Sequence, residues 1–298
     1  MGLAAVRALA THNPQRIFLA ARNSERGAKA IADIQKDVPG ARLTFVKCDL
    51  SSLASVQSAA RSIIAQSSDE ACSNSRLDIL ICNGGLAAAP PALSVDGFEV
   101  QFATNHLGHA LLIKLLLPTI LRTATAQSYQ DADNTTAVGP RIVFVSSDSY
   151  VLYPSGGIAF SSIHTPQNWF FLGPLRRYAQ SKLANILYAA ELARRYRDQA
   201  LTSLSVHPGI SYTDILAGMT TASRILIRMG TVGMSVSTEE AARSVLWAAT
   251  ADKGNIVSGG YYEPVGVRKS VKVDKDEGEE LAGRLWTWTE KTLRELGY

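Results

Sequence analysis

Five short runs of aliphatic and β-branched residues, at 16–20, 43–48, 79–83, 142–146 and 204–207, alternate with stretches whose apolar residues recur every three or four positions, at 25–36, 53–66, 97–121, 177–196 and 238–249. No other feature of the chain restricts its fold as strongly. A short unbroken apolar run reads as a strand buried on both faces, and strands separated by helices pair in parallel through crossovers. The pattern therefore predicts an α/β fold, a doubly wound parallel sheet, in a single domain covering 1–298. With 46% hydrophobic content the chain can bury one large core. Residues 260–264 supply a last strand, and 278–296 form an amphipathic packing helix with Leu281, Leu285, Trp288 and Leu293 on its apolar side. Two stretches rich in Ser, Asn, Asp and Thr, 67–76 and 126–140, lack periodicity and read as surface insertions.

The net charge of +4 is thinly spread, and its basic residues come as pairs such as Arg176-Arg177 and Arg194-Arg195, which does not argue for a nucleic-acid partner. Cys48, Cys72 and Cys82 are too few and too scattered for a disulfide framework, so a reducing, cytoplasmic location is expected. The richest apolar stretch, 110–117, carries Lys114 and stops at Pro118, which predicts no membrane span. The first ten residues have helical spacing and meet a polar turn, unlike a signal peptide. His106, His109 and His207 lack metal-ligand spacing and read as packing residues, so no metal is expected.

Tyr178 and Lys182 open a helical stretch, and a spacing of four puts phenol and ammonium on one face, a turn apart. A free phenol has a pKa of about 10; a fixed cation nearby is expected to lower it and tune it as a general acid or base. Such a pair also occurs on solvated helix faces, so its context matters. Ser147 ends the apolar run Arg-Ile-Val-Phe-Val-Ser-Ser, where its hydroxyl emerges at the carboxyl edge of the sheet and could hold a developing alkoxide. Asn105, in Thr-Asn-His-Leu-Gly-His, sits in an otherwise apolar helix, where an amide is costly without partners; a helix-bending or proton-relay role follows.

In this order, the residues resemble the short-chain dehydrogenase/reductase family over nearly the whole chain. The resemblance implies a Rossmann-type fold, a nicotinamide cofactor, and Ser147, Tyr178, Lys182 and Asn105 as catalytic tetrad. In that pattern Lys182 also holds the nicotinamide ribose, and Asn105 links Lys182 to solvent through water. Cys82-Asn83-Gly84-Gly85 stands where the family has Asn-Asn-Ala-Gly, which makes Asn83 and Gly84 cofactor-lining residues. Pro208-Gly209, followed by Thr213, resembles the segment that closes over the nicotinamide, and Asp49-Leu50 the adenine contact, although Asp49 reads equally well as a loop or cap residue. Segment 212–236 corresponds to the stretch that covers the substrate, where Met219, Ile225, Ile227 and Met229 could line a pocket. Asn-His-Leu-Gly-His, Ser-Lys-Leu-Ala-Asn and His-Pro-Gly are similar to the retinol dehydrogenase and WW-domain oxidoreductase branch. That branch handles apolar alcohols and carbonyls, and specialised metabolism is a natural setting for such a substrate. A homo-oligomer is compatible with the family.

Cofactor choice rests on Arg22. An acidic residue there would suit the ribose hydroxyl of NAD, whereas a guanidinium suits the 2′-phosphate of NADP, so NADP is expected over NAD. The family's phosphate cradle is a first strand followed by Thr-Gly-x-x-x-Gly-x-Gly. By position Gly2 matches its last glycine, so the first strand and the two earlier glycines are expected to be missing from this chain, leaving two strand edges unpaired. A natural start upstream of Met1 is the expected reason, and a truncated protein with weakened cofactor binding the alternative. The functional expectation is an NADP-dependent oxidoreductase interconverting a carbonyl and an alcohol. The rival is a non-catalytic scaffold derived from such an enzyme; a sugar epimerase or dehydratase shares Tyr-x-x-x-Lys but normally has a longer C-terminal region.

Overall fold

The structure, a computed structural model, describes residues 1–67, 75–130, 139–210, 235–273 and 275–298. In chain order these hold α1 (Gly2–Ala10), β1 (Ile17–Ala21), α2 (Ser24–Asp37), β2 (Leu43–Lys47), α3 (Leu53–Ser67), β3 (Ile79–Cys82), α4 (Val100–Phe102), a π-helical stretch (Ala103–Leu107), α5 (Gly108–Gln130), β4 (Arg141–Val145), α6 (Gly173–Arg195), β5 (Thr202–Val206), α7 (Thr238–Thr250), β6 (Tyr261–Glu263), β7 (Val267–Lys269) and α8 (Lys275–Glu295). Strands β3, β4, β5 and β6 are parallel neighbours in that order, and β7 joins antiparallel at the edge. Strands β1 and β2 form a separate parallel pair, so β1 has a ladder only with β2 and β3 only with β4 among the described residues.

The expected alternation is present, and the fold is the Rossmann-type α/β fold. Burial on both faces, expected of every strand, holds for β4, whose five residues are all buried, and for most of β5. It does not hold for β1, β2 and β3, which are mostly half-buried. A ladder on one side alone leaves more of β1 and β3 open to solvent. Strand β7 escaped sequence reading because Val267, Arg268 and Lys269 are all exposed and carry no apolar pattern.

Local chemistry sets the helix ends. The side chain of Asn23 caps α2 by accepting from Arg26 N at 2.8 Å, and Ser237 and Glu240 form a reciprocal capping box on α7. The Arg141 guanidinium, buried at the start of β4, donates to the carbonyls of Ala248 and Ala251 at the end of α7, where a cation is favourable. Helix α5 runs through Pro118 and on to Gln130, past the expected end at 121 and into the stretch 126–140 that was expected to be a surface insertion; Leu111, Leu116 and Ile120 are buried, and that packing outweighs the hydrogen bond lost at the proline. The helical run Val100–Ala126 is therefore long and apolar enough to cross a membrane by length and composition, yet 67% of its apolar window is buried inside the protein, as in a core helix. Leu281, Leu285 and Leu293 of α8 are buried, and Trp288 meets Phe98 and Phe102 edge-on.

Candidate active site

Strand β4 delivers Ser146 and Ser147 to its carboxyl edge. The Ser146 hydroxyl donates to the carbonyl of Lys182 at 2.8 Å, which fastens the strand end to the middle of α6. Ser147 is extended and caps the 3₁₀ turn Asp148–Leu152, its hydroxyl oxygen accepting from Ser149 N at 3.2 Å. Helix α6 starts with Pro174 in its first turn, which suits the fixed φ of proline, and so presents Tyr178 and Lys182 one turn apart. The Lys182 ammonium lies 5.6 Å from the centroid of the Tyr178 ring and donates to the carbonyl of Val145 at 2.8 Å.

Asn105 lies in the π-helical stretch, a local widening often found at functional sites. Its amide is fully used: Oδ1 accepts from Leu86 N at 2.7 Å, and Nδ2 donates to Leu86 O and to the Ser181 hydroxyl, each at 2.8 Å. The Ser181 hydroxyl in turn donates to the carbonyl of Tyr178 at 2.7 Å. Gly85 stands between, since a β-carbon there would come 2.9 Å from Asn105 Oδ1 and 3.6 Å from Lys182 Nζ. The four candidate residues thus share one site, and Ser181 and Gly85, which were not singled out from sequence, connect them.

One electrostatic expectation is reversed. The Tyr178 phenol is pushed up to about 12, chiefly by burial, with a hydrogen bond from Ser147 pulling it down and the Asp148 carboxylate raising it. Lys182 does not lower it: the ammonium is itself buried, which brings it down to about 8, and its hydrogen bond goes to Val145 O. Desolvation wins over the expected cation effect.

Of the residues expected to line a cofactor, Gly2 packs on Asn83 and Gly84 on Leu50. A β-carbon on Gly2 would meet Asn83 Nδ2 at 2.6 Å, and one on Gly84 would meet Leu50 Cδ1 at 2.7 Å. Asn83 Oδ1 is buried without a hydrogen-bond partner. Asp49 behaves as a loop residue, its Oδ1 accepting from the backbone N–H and hydroxyl of Ser51. Arg22 is exposed just beyond β1. Pro208 is buried, and Gly209 adopts a φ of +93°, a conformation that favours glycine. Thr213, with Met219, Ile225, Ile227 and Met229, lies outside the described residues. A close backbone approach at Gly84 and Gly85, an orphaned amide oxygen at Asn83 and an open guanidinium at Arg22 fit a dinucleotide.

His106, His109 and His207 are buried, and burial lowers the pKa of each. His106 is brought down to about 3 and His109 to about 4, in both cases mainly by desolvation; His106 Nε2 bonds Thr289 and His109 Nδ1 bonds the carbonyl of Asn105, each at 3.0 Å. His109, expected to be a plain packing residue, therefore holds the backbone of a candidate catalytic residue. His207 Nε2 is 3.6 Å from Asp148 Oδ2.

Fold and site together define a Rossmann-type α/β protein with Ser147 and Asn105 gathered near Tyr178 and Lys182 at the carboxyl edge of the sheet. The short chain dehydrogenase family profile matches residues 1–163. An uncharacterized oxidoreductase of Schizosaccharomyces pombe is 32% identical over 95% of this chain and 79% of its own length. Retinol dehydrogenase 13 of Homo sapiens is 32% identical over 91% of this chain and 74% of its own. A solved structure of an uncharacterized protein from Mycobacterium paratuberculosis superposes with a TM-score of 0.68 at 26% identity, covering 97% of this chain and 88% of that one. The chain belongs to the short-chain dehydrogenase/reductase family, in the branch of the retinol dehydrogenases and WW-domain oxidoreductases.

Proposed function

We propose that this chain is an NADP-dependent reductase, or the reverse dehydrogenase, that interconverts a carbonyl and an alcohol on a small apolar substrate, with a role in specialised metabolism. The observation that carries the reading is the Tyr178 ring beside the Lys182 ammonium, 5.6 Å from it, with Gly85 packed so closely that a β-carbon there would come 3.6 Å from Lys182 Nζ. Arg22, exposed beyond β1 with no acidic residue in its place, supports the 2′-phosphate of NADP as its partner. Bound NADPH supplies a hydride to the carbonyl carbon. The residues of the chain manage the proton and the oxygen. Ser147 donates a hydrogen bond to the substrate oxygen as it gains negative charge, and Tyr178 Oη transfers its proton to that oxygen. A phenol raised to about 12 is protonated at neutral pH, which suits the direction of carbonyl reduction. Lys182 stabilises the phenolate left behind, and Asn105, through Ser181, keeps the helical turn that carries Tyr178 in place.

Tyr178→Phe tests the reading. The variant is expected to lose at least about a thousandfold in turnover, the order of a lost general acid, while nicotinamide fluorescence still reports NADPH binding. Full activity in this variant rejects the assignment, and absence of NADPH binding in the wild-type chain supports a non-catalytic scaffold instead.

A further inference from the structure

Arg177, immediately before Tyr178, is completely buried, and so is Glu99 beside it. Two buried charges have a large desolvation cost, which is met only when every hydrogen-bonding position is used well. Arg177 Nε faces Glu99 Oε1 at 3.3 Å without the alignment of a hydrogen bond, so Glu99 serves mainly as a counter-charge. The directed bonds go elsewhere. Arg177 Nη1 donates to the carbonyl of Gln167 at 2.9 Å, and Nη2 donates to the carbonyl of Ala89 at 2.8 Å.

Those two carbonyls belong to two segments far apart in sequence, both fastened to the residue before Tyr178. Residues 86–89 follow the glycine pair; Asn105 holds Leu86 by both N–H and C=O, and Arg177 holds Ala89, with Ala88 between them at a φ of +45°. An alanine in that region is strained and persists only where its flanks are held. The second segment leads to Gln167, also at positive φ, whose side-chain oxygen accepts from Gln180 Nε2 at 2.5 Å and whose carbonyl also accepts from Trp169 N at 2.7 Å. Beyond it Phe170 and Phe171 project fully into solvent before the chain returns at Gly173, where a β-carbon would press on Arg177 Nη1 at 3.3 Å and Trp169 Cβ at 3.4 Å. One guanidinium therefore roots both the backbone after the glycine pair and the aromatic strap before α6.

We propose that Arg177, with Glu99 as its counter-ion, is a positioning residue that holds segments 86–89 and 163–172 to the helical turn that carries Tyr178, so that an apolar carbonyl substrate is received between them. This deepens the reductase reading and rests on it. A lysine cannot bond both carbonyls with a planar fork, and a methionine removes the charge but leaves Glu99 buried and uncompensated. The informative variants are therefore Arg177→Lys and the double variant Arg177→Met with Glu99→Gln, in which no uncompensated charge remains.

The test uses decanal as probe substrate with NADPH, together with hydrogen exchange of the amides in 86–89 and 163–169. Both variants are expected to melt within a few degrees of wild type and to bind NADPH within about twofold. KM for decanal should rise about tenfold, the effect of a loosened substrate geometry, and exchange in the two segments should quicken while that of α6 stays slow. Unchanged KM and unchanged exchange in either variant overturn the proposal. A KM that rises only in step with a fall in melting temperature also overturns it, because that is a structural role alone. If the wild-type chain turns over no carbonyl at all, the reductase reading fails, and the exchange data still decide whether Arg177 holds the two segments.

Discussion

All five residues of β4 are buried and the strand is paired on both sides, with β3 and β5, whereas β1 buries none of its five residues fully and, among the described residues, is paired only with β2. The first region carries Ser147 and, through α6, Tyr178 and Lys182; the second carries Arg22 beside the dinucleotide side. Where proton transfer is proposed, geometry is held by a dense set of buried bonds: Ser146 to α6, Lys182 to Val145, and Asn105 to Leu86 and Ser181. Where the dinucleotide is proposed to sit, strands are half-open. The difference teaches that the protein's own packing fixes the residues proposed for proton chemistry, while on the other side the proposed cofactor contact, Arg22, stands exposed.

Equivalent truncations in the two regions sharpen the contrast most. Phe144 in β4 is fully buried, so Phe144→Ala is expected to cost about 3–5 kcal/mol. Phe18 in β1 is only half-buried, and Phe18→Ala should cost about 1 kcal/mol. Equal losses in urea unfolding would remove the basis of the comparison.

Acid should strike the enclosed region next. His106 and His109 have folded-state pKa values lowered to about 3 and about 4. As pH falls below about 6.5 the unfolded chain takes up protons that the folded chain refuses, so stability present above that pH is lost on the way down to pH 3–4. A loss on the order of a few kcal/mol is expected in denaturation curves at stepped pH, and His109→Asn should flatten part of it. A flat profile in the wild-type chain contradicts the buried, neutral state of these rings.

The last test concerns the open region. Arg22→Asp is expected to weaken NADPH binding about 10- to 100-fold and to improve NADH relative to it, with little change in stability because the side chain is exposed. Fluorescence titration with both cofactors measures it. Unaltered preference would mean that the 2′-phosphate is recognised elsewhere.

Much of this was legible before any coordinates. Most strands and helices fall within a few residues of their expected places because short apolar runs and a three-to-four residue period are written into local sequence. Tyr178 and Lys182 share a helix face by spacing alone, and Ser147 reaches the sheet edge because its strand ends there. Other features had no local signature. The stretch from 126 showed no periodicity although α5 runs on to Gln130, and the exposed β7 had no apolar pattern to read.

Sequence alone determined the α/β alternation, the order of the candidate residues and the helical turn that pairs Tyr178 with Lys182, since each depends on neighbours within a few positions. Tertiary structure alone decided the electrostatics and the tethers. Burial raised the Tyr178 phenol where a nearby cation was expected to lower it. It also placed Arg177 against the carbonyl of Ala89, 88 residues away, and Asn105 against Ser181, 76 residues away. Desolvation and long-range hydrogen bonding exist only once distant segments have met, so no window of sequence could display them.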